Sequence, residues 1–448
     1  MRHMSGTPDR WLRARYRAFA LLTSLVLLLA ACAGGPSSSR PASSGHELTP
    51  PSPKATVPPS SAGPQTAARL QLQLQQSADW YLSRMSLDEK LGQMFLIETV
   101  WQDYNQDVDN MVRGMHAGAL ILYQQNMASP AQLTSYIAAI QAHASIPLLV
   151  SIDEEGGVVD RLGYLGYNPT LPAAQDLGAS GNPRNAYQAG ARAADELKSY
   201  GINVNLAPVA DVRTVPNAVE WTRLFGDDPR TVDAYAGAFL RGLQDNGVVA
   251  TVKHWPGIGG TTLDPHLTLP TITDSVAQLD AVNFAAFKGL LPLDPGMIMV
   301  THVIVSSIDP TLPATFSPKL VDGILRGQLG YQGVVVTDSL YMDGIKDFLN
   351  DQNIYSELPK AAVLAVEAGD DLLEGAFDTP SMSAMIAALK AAISSGQITQ
   401  ARIDQSVRRI LMLKLRFGLL PLLPMKGTPL YADATSPTLS AADVKRAA

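Results

Sequence analysis

The chain has 448 residues, with 34 basic and 41 acidic side chains for a formal net charge of −7, a balance that argues against nucleic acid as its main partner. Hydrophobic residues make up 46% of it, enough for a large buried core and unlike a disordered chain. One cysteine is present, which excludes an intrachain disulfide, a cysteine-ligated zinc cluster and an iron-sulfur centre.

At the N-terminus Arg10, Arg13, Arg15 and Arg17 precede an apolar run from Ala18 to Ala31, the order of a secretory signal peptide: basic region, hydrophobic region, small residues. The run is short for a membrane span. It closes on Leu29-Ala30-Ala31-Cys32, which resembles a bacterial lipobox and places the sole cysteine where lipid is attached after cleavage. Trp11 and Leu12 separate Arg10 from Arg13, so the signal is expected to follow the general route and not a twin-arginine one. The segment from Cys32 to Gln71 carries GGPSSSRPASSG and PPSPKATVPPSSAGP, too poor in apolar residues for a core and expected to act as a disordered, semi-extended tether. The expected layout is a signal peptide over 1–31, lipid-bearing Cys32 and tether over 32–71, one folded domain over 72–425, and a loosely packed Pro- and Thr-containing tail over 426–448.

Between residues 75 and 420 short apolar runs recur: MFLIE (94–98), GALILY (118–123), PLLVSID (147–153), NVNLAP (203–208), VVATVKH (248–254), GMIMVTH (296–302), GVVVTD (333–338) and DLLEG (371–375). Each has strand length, and helix-like stretches such as 186–200 and 230–246 lie between them. Eight buried strands alternating with helices predict an α/β fold, a (β/α)8 TIM-type barrel, with a doubly wound open sheet as the alternative. Asp153, Asp211, His254, His302, Asp338 and Glu374 fall at or just beyond the C-terminal ends of these runs, which a barrel would gather at one mouth. DEEGG (153–157) has glycines without dinucleotide spacing. Asp, His, Arg and Lys without a phosphate loop indicate acid, base and nucleophile chemistry, and carboxylates beside cations suit sugar hydroxyls and attack on an anomeric carbon.

SIDEEGGVVDRL (151–162), NVNLAPVADV (203–212), TRLFGDDP (222–229), KHWPGIGGTTLDPHLTLP (253–270) and GVVVTDSLYM (333–342) resemble glycoside hydrolase family 3, above all its single-barrel bacterial β-N-acetylhexosaminidases. The resemblance covers roughly residues 80–415 in order. It implies that Asp338 is the nucleophile of a retaining reaction and that Asp264 and His266, matching a D-x-H pair, form a dyad in which the histidine is general acid and then base. By itself Asp338 reads as a helix cap after an apolar strand, and Asp264-Pro265-His266 as a surface turn. The resemblance also implies sugar contacts for Asp153, Arg161, Arg223, Lys253 and His254, with Asp211 and His302 as supporting positions. It implies no metal or cofactor and an N-acetylglucosamine-containing oligosaccharide as substrate; the lipobox at Cys32 implies membrane attachment through the lipid on the outer side of the cytoplasmic membrane of a bacterium, and a monomer is expected. Val158, Ile258 and Gly260 stand where the family commonly has Arg, His and Asp, changes expected to remove polar groups near the mouth and to alter the aglycone preference or the loop's resting position, and Ser339 follows the nucleophile in place of a second Asp. Pro265 is expected to stiffen the dyad loop. The leading expectation is an exo-acting retaining β-N-acetylglucosaminidase. The rivals are a glycoside phosphorylase using the same residues, a β-glucosidase or β-xylosidase, and a lectin that has lost turnover.

Overall fold

The computed structural model describes residues 64–166, 170–216 and 218–423. Cys32, the signal and most of the tether expected before the domain, and all of the expected tail lie outside these residues. Among the described residues no helix is long and apolar enough to cross a membrane.

Eight strands form one sheet: β1 (Phe95–Glu98), β2 (Ala119–Leu122), β3 (Leu149–Ile152), β4 (Val204–Asn205), β5 (Val249–Trp255), β6 (Met297–Val300), β7 (Val334–Thr337) and β8 (Leu373–Ala376). Each pairs in parallel with the next, and β1 pairs with β8. A parallel bridge between Val336 and Leu372 joins β7 to β8 and closes the ring. The eight runs read from the sequence are these eight strands, in a barrel and not an open sheet. β1, β2, β3, β6, β7 and β8 are buried at every residue, because barrel interior and outer helices cover both faces, which is why they read as unbroken apolar runs. β4 is short because Pro208 has no N–H to donate; pairing resumes as an isolated bridge from Val209 to Lys253.

Helices return the chain to the bottom of the barrel, and their starts are legible in the sequence. Ser129, Asn182 and Asp228 cap Pro130–His143, Pro183–Tyr200 and Pro229–Asp245, each with proline in the first turn. A capping side chain satisfies an orphan N–H and contributes about 1 kcal/mol, while proline sits where no N–H is needed. One boundary differs from expectation. The first helix runs Pro64–Leu82 and so starts inside the stretch expected to be tether up to residue 71. Gln65 to Leu72 contains no further proline and is mostly Ala, Gln, Leu and Arg, all good helix formers, so the helix runs back to the last proline of the Pro-rich segment.

The N-terminal end of the barrel is closed by an ion cluster. Asp371, fully buried, takes Arg326 at 2.6 Å, Arg409 at 2.9 Å and the Ser406 hydroxyl at 2.6 Å. The opposite end carries the loops after the strands, where the remaining polar side chains collect.

Candidate active site

Asp338 follows the last residue of β7, half-buried at the mouth. Its two carboxylate oxygens are held separately: Oδ2 accepts from the Thr301 hydroxyl at 2.9 Å and Oδ1 from the Ser339 amide at 3.0 Å. Burial works against ionisation of this carboxyl, but the histidines around it (His302, His254, His266) and the Thr301 hydrogen bond outweigh burial and hold its pKa below the usual value. Asp338 is therefore an oriented, ionised carboxylate at neutral pH, the form a nucleophile needs.

Asp264 and His266 lie on the loop after β5. Asp264 Oδ1 accepts from the His266 amide at 2.9 Å and lies 2.7 Å from its ring Nδ1. Because a carboxylate only accepts, Nδ1 carries a proton and Nε2 is the nitrogen left to exchange one. Burial opposes the imidazolium, yet the Asp264 hydrogen bond and the Asp338 and Asp264 charges prevail and raise the His266 pKa. The side chains remain 55% and 37% accessible for His266 and Asp264, open toward an incoming molecule. The loop leans on the segment after the nucleophile, where the Asp343 amide donates to the His266 carbonyl at 3.3 Å.

Four of the five expected sugar-binding residues form one network. Lys253 Nζ, 2% exposed, bridges Asp153 at 2.6 Å and Glu155 at 2.7 Å. Arg223 makes a two-pronged contact with Glu155, Nε at 2.7 Å and Nη2 at 2.8 Å, and its Nη1 pairs with Glu220. His254 Nδ1 lies 2.7 Å from Asp211 Oδ2 and 3.4 Å from Glu220 Oε2, while Asp211 Oδ1 accepts from the Ile258 amide at 2.8 Å. Burial would lower the Lys253 pKa and raise that of Glu155, but each is overruled by its partners: Asp153 and Glu155 keep the lysine charged, and Arg223 and Lys253 keep the glutamate ionised. The same contest, settled by Glu220 and Asp211, raises the His254 pKa. Arg161 is half-buried on the loop after β3, and the amide of the next residue, Leu162, donates to the buried Glu154 carboxyl at 3.0 Å.

Sequence reasoning missed Glu155 and Glu220. Glu155 stood in the quoted DEEGG without a role, and the only signal for Glu220 is its place three residues before Arg223. His302, read as a supporting position, is fully buried. Its Nε2 donates to the Ser339 carbonyl at 2.8 Å, leaving Nδ1 to meet the Thr315 hydroxyl at 2.7 Å, and burial lowers its pKa. One expectation about the mouth is corrected. Ile258 is 2% exposed and belongs to the core, so that departure repacks the underside of the loop instead of stripping a polar group from the opening. Val158, 66% exposed, does present an apolar surface.

Among the described residues one group has ligand-like spacing, Asp211, Glu220 and His254, with donor atoms within 4.8 Å of one another. The His254 Nδ1 lone pair is replaced by a proton shared with Asp211, and the Arg223 cation sits against Glu220, so the group reads as a proton-linked cluster better than as a cation site.

Residues 86–413 match the model of the glycosyl hydrolase family 3 N terminal domain. A β-hexosaminidase of Nitrosomonas eutropha is 32% identical over 303 residues, 66% of this chain and 85% of that one. β-Hexosaminidase A of Pseudoalteromonas piscicida is 30% identical over 69% of this chain, which spans 55% of that relative's length. A family 3 β-N-acetylglucosaminidase structure from Paenibacillus superposes with a TM-score of 0.70 at 36% identity, covering 81% of this chain and 68% of that one. With a family match across most of its length and a closed barrel carrying Asp338 and the Asp264–His266 pair at its C-terminal mouth, the chain belongs to glycosyl hydrolase family 3.

Proposed function

We propose that the chain is an exo-acting, retaining β-N-acetylglucosaminidase that removes terminal N-acetyl-β-D-hexosamine residues from cell-wall or chitin-derived oligosaccharides. The observation that carries the reading is the hydrogen-bonded Asp264–His266 pair open at the mouth that also holds an ionised Asp338. Asp338 forms a bond to the anomeric carbon as the bond to the leaving oxygen breaks, and His266 Nε2 delivers its proton to that oxygen. Water then displaces Asp338 while His266 takes a proton from it, restoring both groups. Asp153, Arg223, Lys253 and His254 supply donors and acceptors for the sugar hydroxyls from positions already fixed by their mutual ion pairs. A histidine in the acid role suits neutral pH, and its ring itself adds no negative charge to the mouth.

That last feature would also suit a phosphorylase, since an imidazolium does not repel phosphate. The charges favour hydrolysis. The three cations Lys253, Arg223 and His254 are matched by Asp153, Glu155, Asp211 and Glu220, leaving no net positive charge to hold a phosphate dianion. Release of p-nitrophenol from the β-N-acetylglucosaminide and the β-glucoside, each with and without phosphate, decides between the two. Fast release from the acetylated sugar, indifferent to phosphate and abolished in Asp338→Ala, is expected. Strong phosphate stimulation, or turnover that survives Asp338→Ala, would overturn the proposal.

A further inference from the structure

Beside Asp338 lies a second set of side chains that the chemistry above does not use. Three carboxyls lie on the neighbouring strands β7, β8 and β1: Asp338 just after β7, Glu374 within β8 and Glu98 at the end of β1. Glu98 and Glu374 are 7% and 2% exposed. Glu374 Oε1 accepts from the Tyr123 hydroxyl at 2.9 Å, and its Oε2 is buried without a hydrogen-bond partner among the described residues. Three carboxyls so placed repel one another unless protons or donors separate them.

The donor is Ser339. Its hydroxyl reaches across the end of β8 and donates to Glu98 Oε1 at 2.6 Å, its carbonyl accepts from His302 Nε2 at 2.8 Å, and its amide donates to Asp338 Oδ1 at 3.0 Å. The next residue is fixed as well, the Leu340 amide bonding the Glu374 carbonyl at 2.9 Å. The residue that aims one oxygen of the nucleophile is thus clamped by side chains from two other strand ends, His302 after β6 and Glu98 on β1.

We propose that Ser339 is a positioning residue for Asp338 and that Glu98 is its matched partner, the hydroxyl at 339 and the carboxyl at 98 forming one strut that sets the aim of the nucleophile. The inference rests on the reading of Asp338 as nucleophile. It accounts for the serine that follows the nucleophile: a carboxylate side chain at 339 would meet the Glu98 carboxylate in the space where the hydroxyl now donates. The strut acts only through Asp338, so its loss falls on the chemical step and not on sugar binding.

The test is kcat and KM for p-nitrophenyl β-N-acetylglucosaminide, with a thermal unfolding midpoint for each variant. Ser339→Ala should lower kcat about 10- to 100-fold, the range for leaving a buried polar group without its hydrogen-bond partner, with KM within about twofold. Glu98→Gln, which keeps an acceptor for the hydroxyl, should lower kcat by less. Ser339→Asp should be the worst of the three, and adding Glu98→Gln to it should restore kcat at least about tenfold, because the new amide donates to the new carboxylate. A strut with a merely structural role would not produce that rescue. The proposal is overturned if Ser339→Ala keeps the parent kcat, or if Ser339→Asp is equally impaired with and without Glu98→Gln. Should Ser339→Asp fail to fold, Ser339→Ala alone decides. If the parent depends on Asp338 and Ser339→Ala does not slow it, only the strut falls; if Asp338→Ala turns over like the parent, the nucleophile falls and takes the strut with it.

Discussion

His266 can serve as an acid only while it is an imidazolium, so the pH at which it loses its proton bounds activity on the alkaline side. Free imidazole titrates at about 6.5, and burial alone would bring that down, but the Asp264 hydrogen bond and the Asp338 and Asp264 charges raise it. The protonated acid thus persists to higher pH than in a histidine without such neighbours. Asp264→Asn keeps an oxygen that can accept from Nδ1 and removes the charge, so the alkaline limb of kcat/KM should move to lower pH while the acidic limb stays in place. A profile whose alkaline limb does not move would show that Asp264 orients the ring without tuning it. These residues were singled out in the sequence because their motifs resemble those of the family; by their local patterns alone they read as a helix cap and a surface turn. Glu155, Glu220 and the role of Glu98 were not singled out, since a carboxylate gains its meaning from being buried against Arg223, Lys253 or Ser339, and those contacts join residues 68, 3, 98 and 241 positions apart. Glu374 was visible as a polar residue ending a strand, but not its contact with Tyr123.

At the level of elements, the eight strands could be read because each is buried on both faces and so appears as a plain apolar run. The first helix was placed too late because a Pro-rich stretch and a helix that begins on its last proline differ by only a few Gln and Ala residues. The dyad loop could not be read at all: its Gly, Thr and Pro residues say only that it is a loop. What fixes it is close backbone contact with the helix Asp343–Leu349. A Cβ added at Gly344 would lie 2.9 Å from the Thr268 carbonyl oxygen and 3.0 Å from that of Pro265, and backbone oxygens cannot swing aside as a side chain can. Gly344→Ala should therefore push the loop outward and carry His266 away from the leaving oxygen. Substrates whose leaving group needs protonation, such as a disaccharide, should lose about tenfold in kcat/KM, and an activated aryl glycoside less than about threefold. Gly114→Ala, where the added carbon meets nothing within 4 Å, is the control. Equal loss on both substrates would mean that the contact steadies the fold and not the acid.

The whole molecule separates stability from chemistry: the Asp371 ion cluster closes the N-terminal end of the barrel, and the C-terminal end carries the site. The first described helix docks on the outside, away from the strand ends. Gln73 Nε2 donates to the Leu423 carbonyl at 2.8 Å, the Tyr81 hydroxyl to that of Pro421 at 3.2 Å, and Arg408 pairs with Asp79 at 2.7 Å. The chain before residue 64 is thus attached to the barrel through this helix. We propose that this attachment ends in a lipid on Cys32, which holds the enzyme at the outer face of the cytoplasmic membrane within reach of the wall. The replacement Cys32→Ser removes the acceptor thiol without touching the barrel. It should move the protein from the membrane fraction to the soluble fraction and leave kcat on a soluble aryl glycoside unchanged, because the tether supplies location and not chemistry. Fractionation of cells expressing each form, with activity measured in both fractions, separates the outcomes. A Cys32→Ser protein that still sediments with membranes would place the anchor elsewhere, and one that is soluble from the start in its parent form would mean that the cysteine carries no lipid.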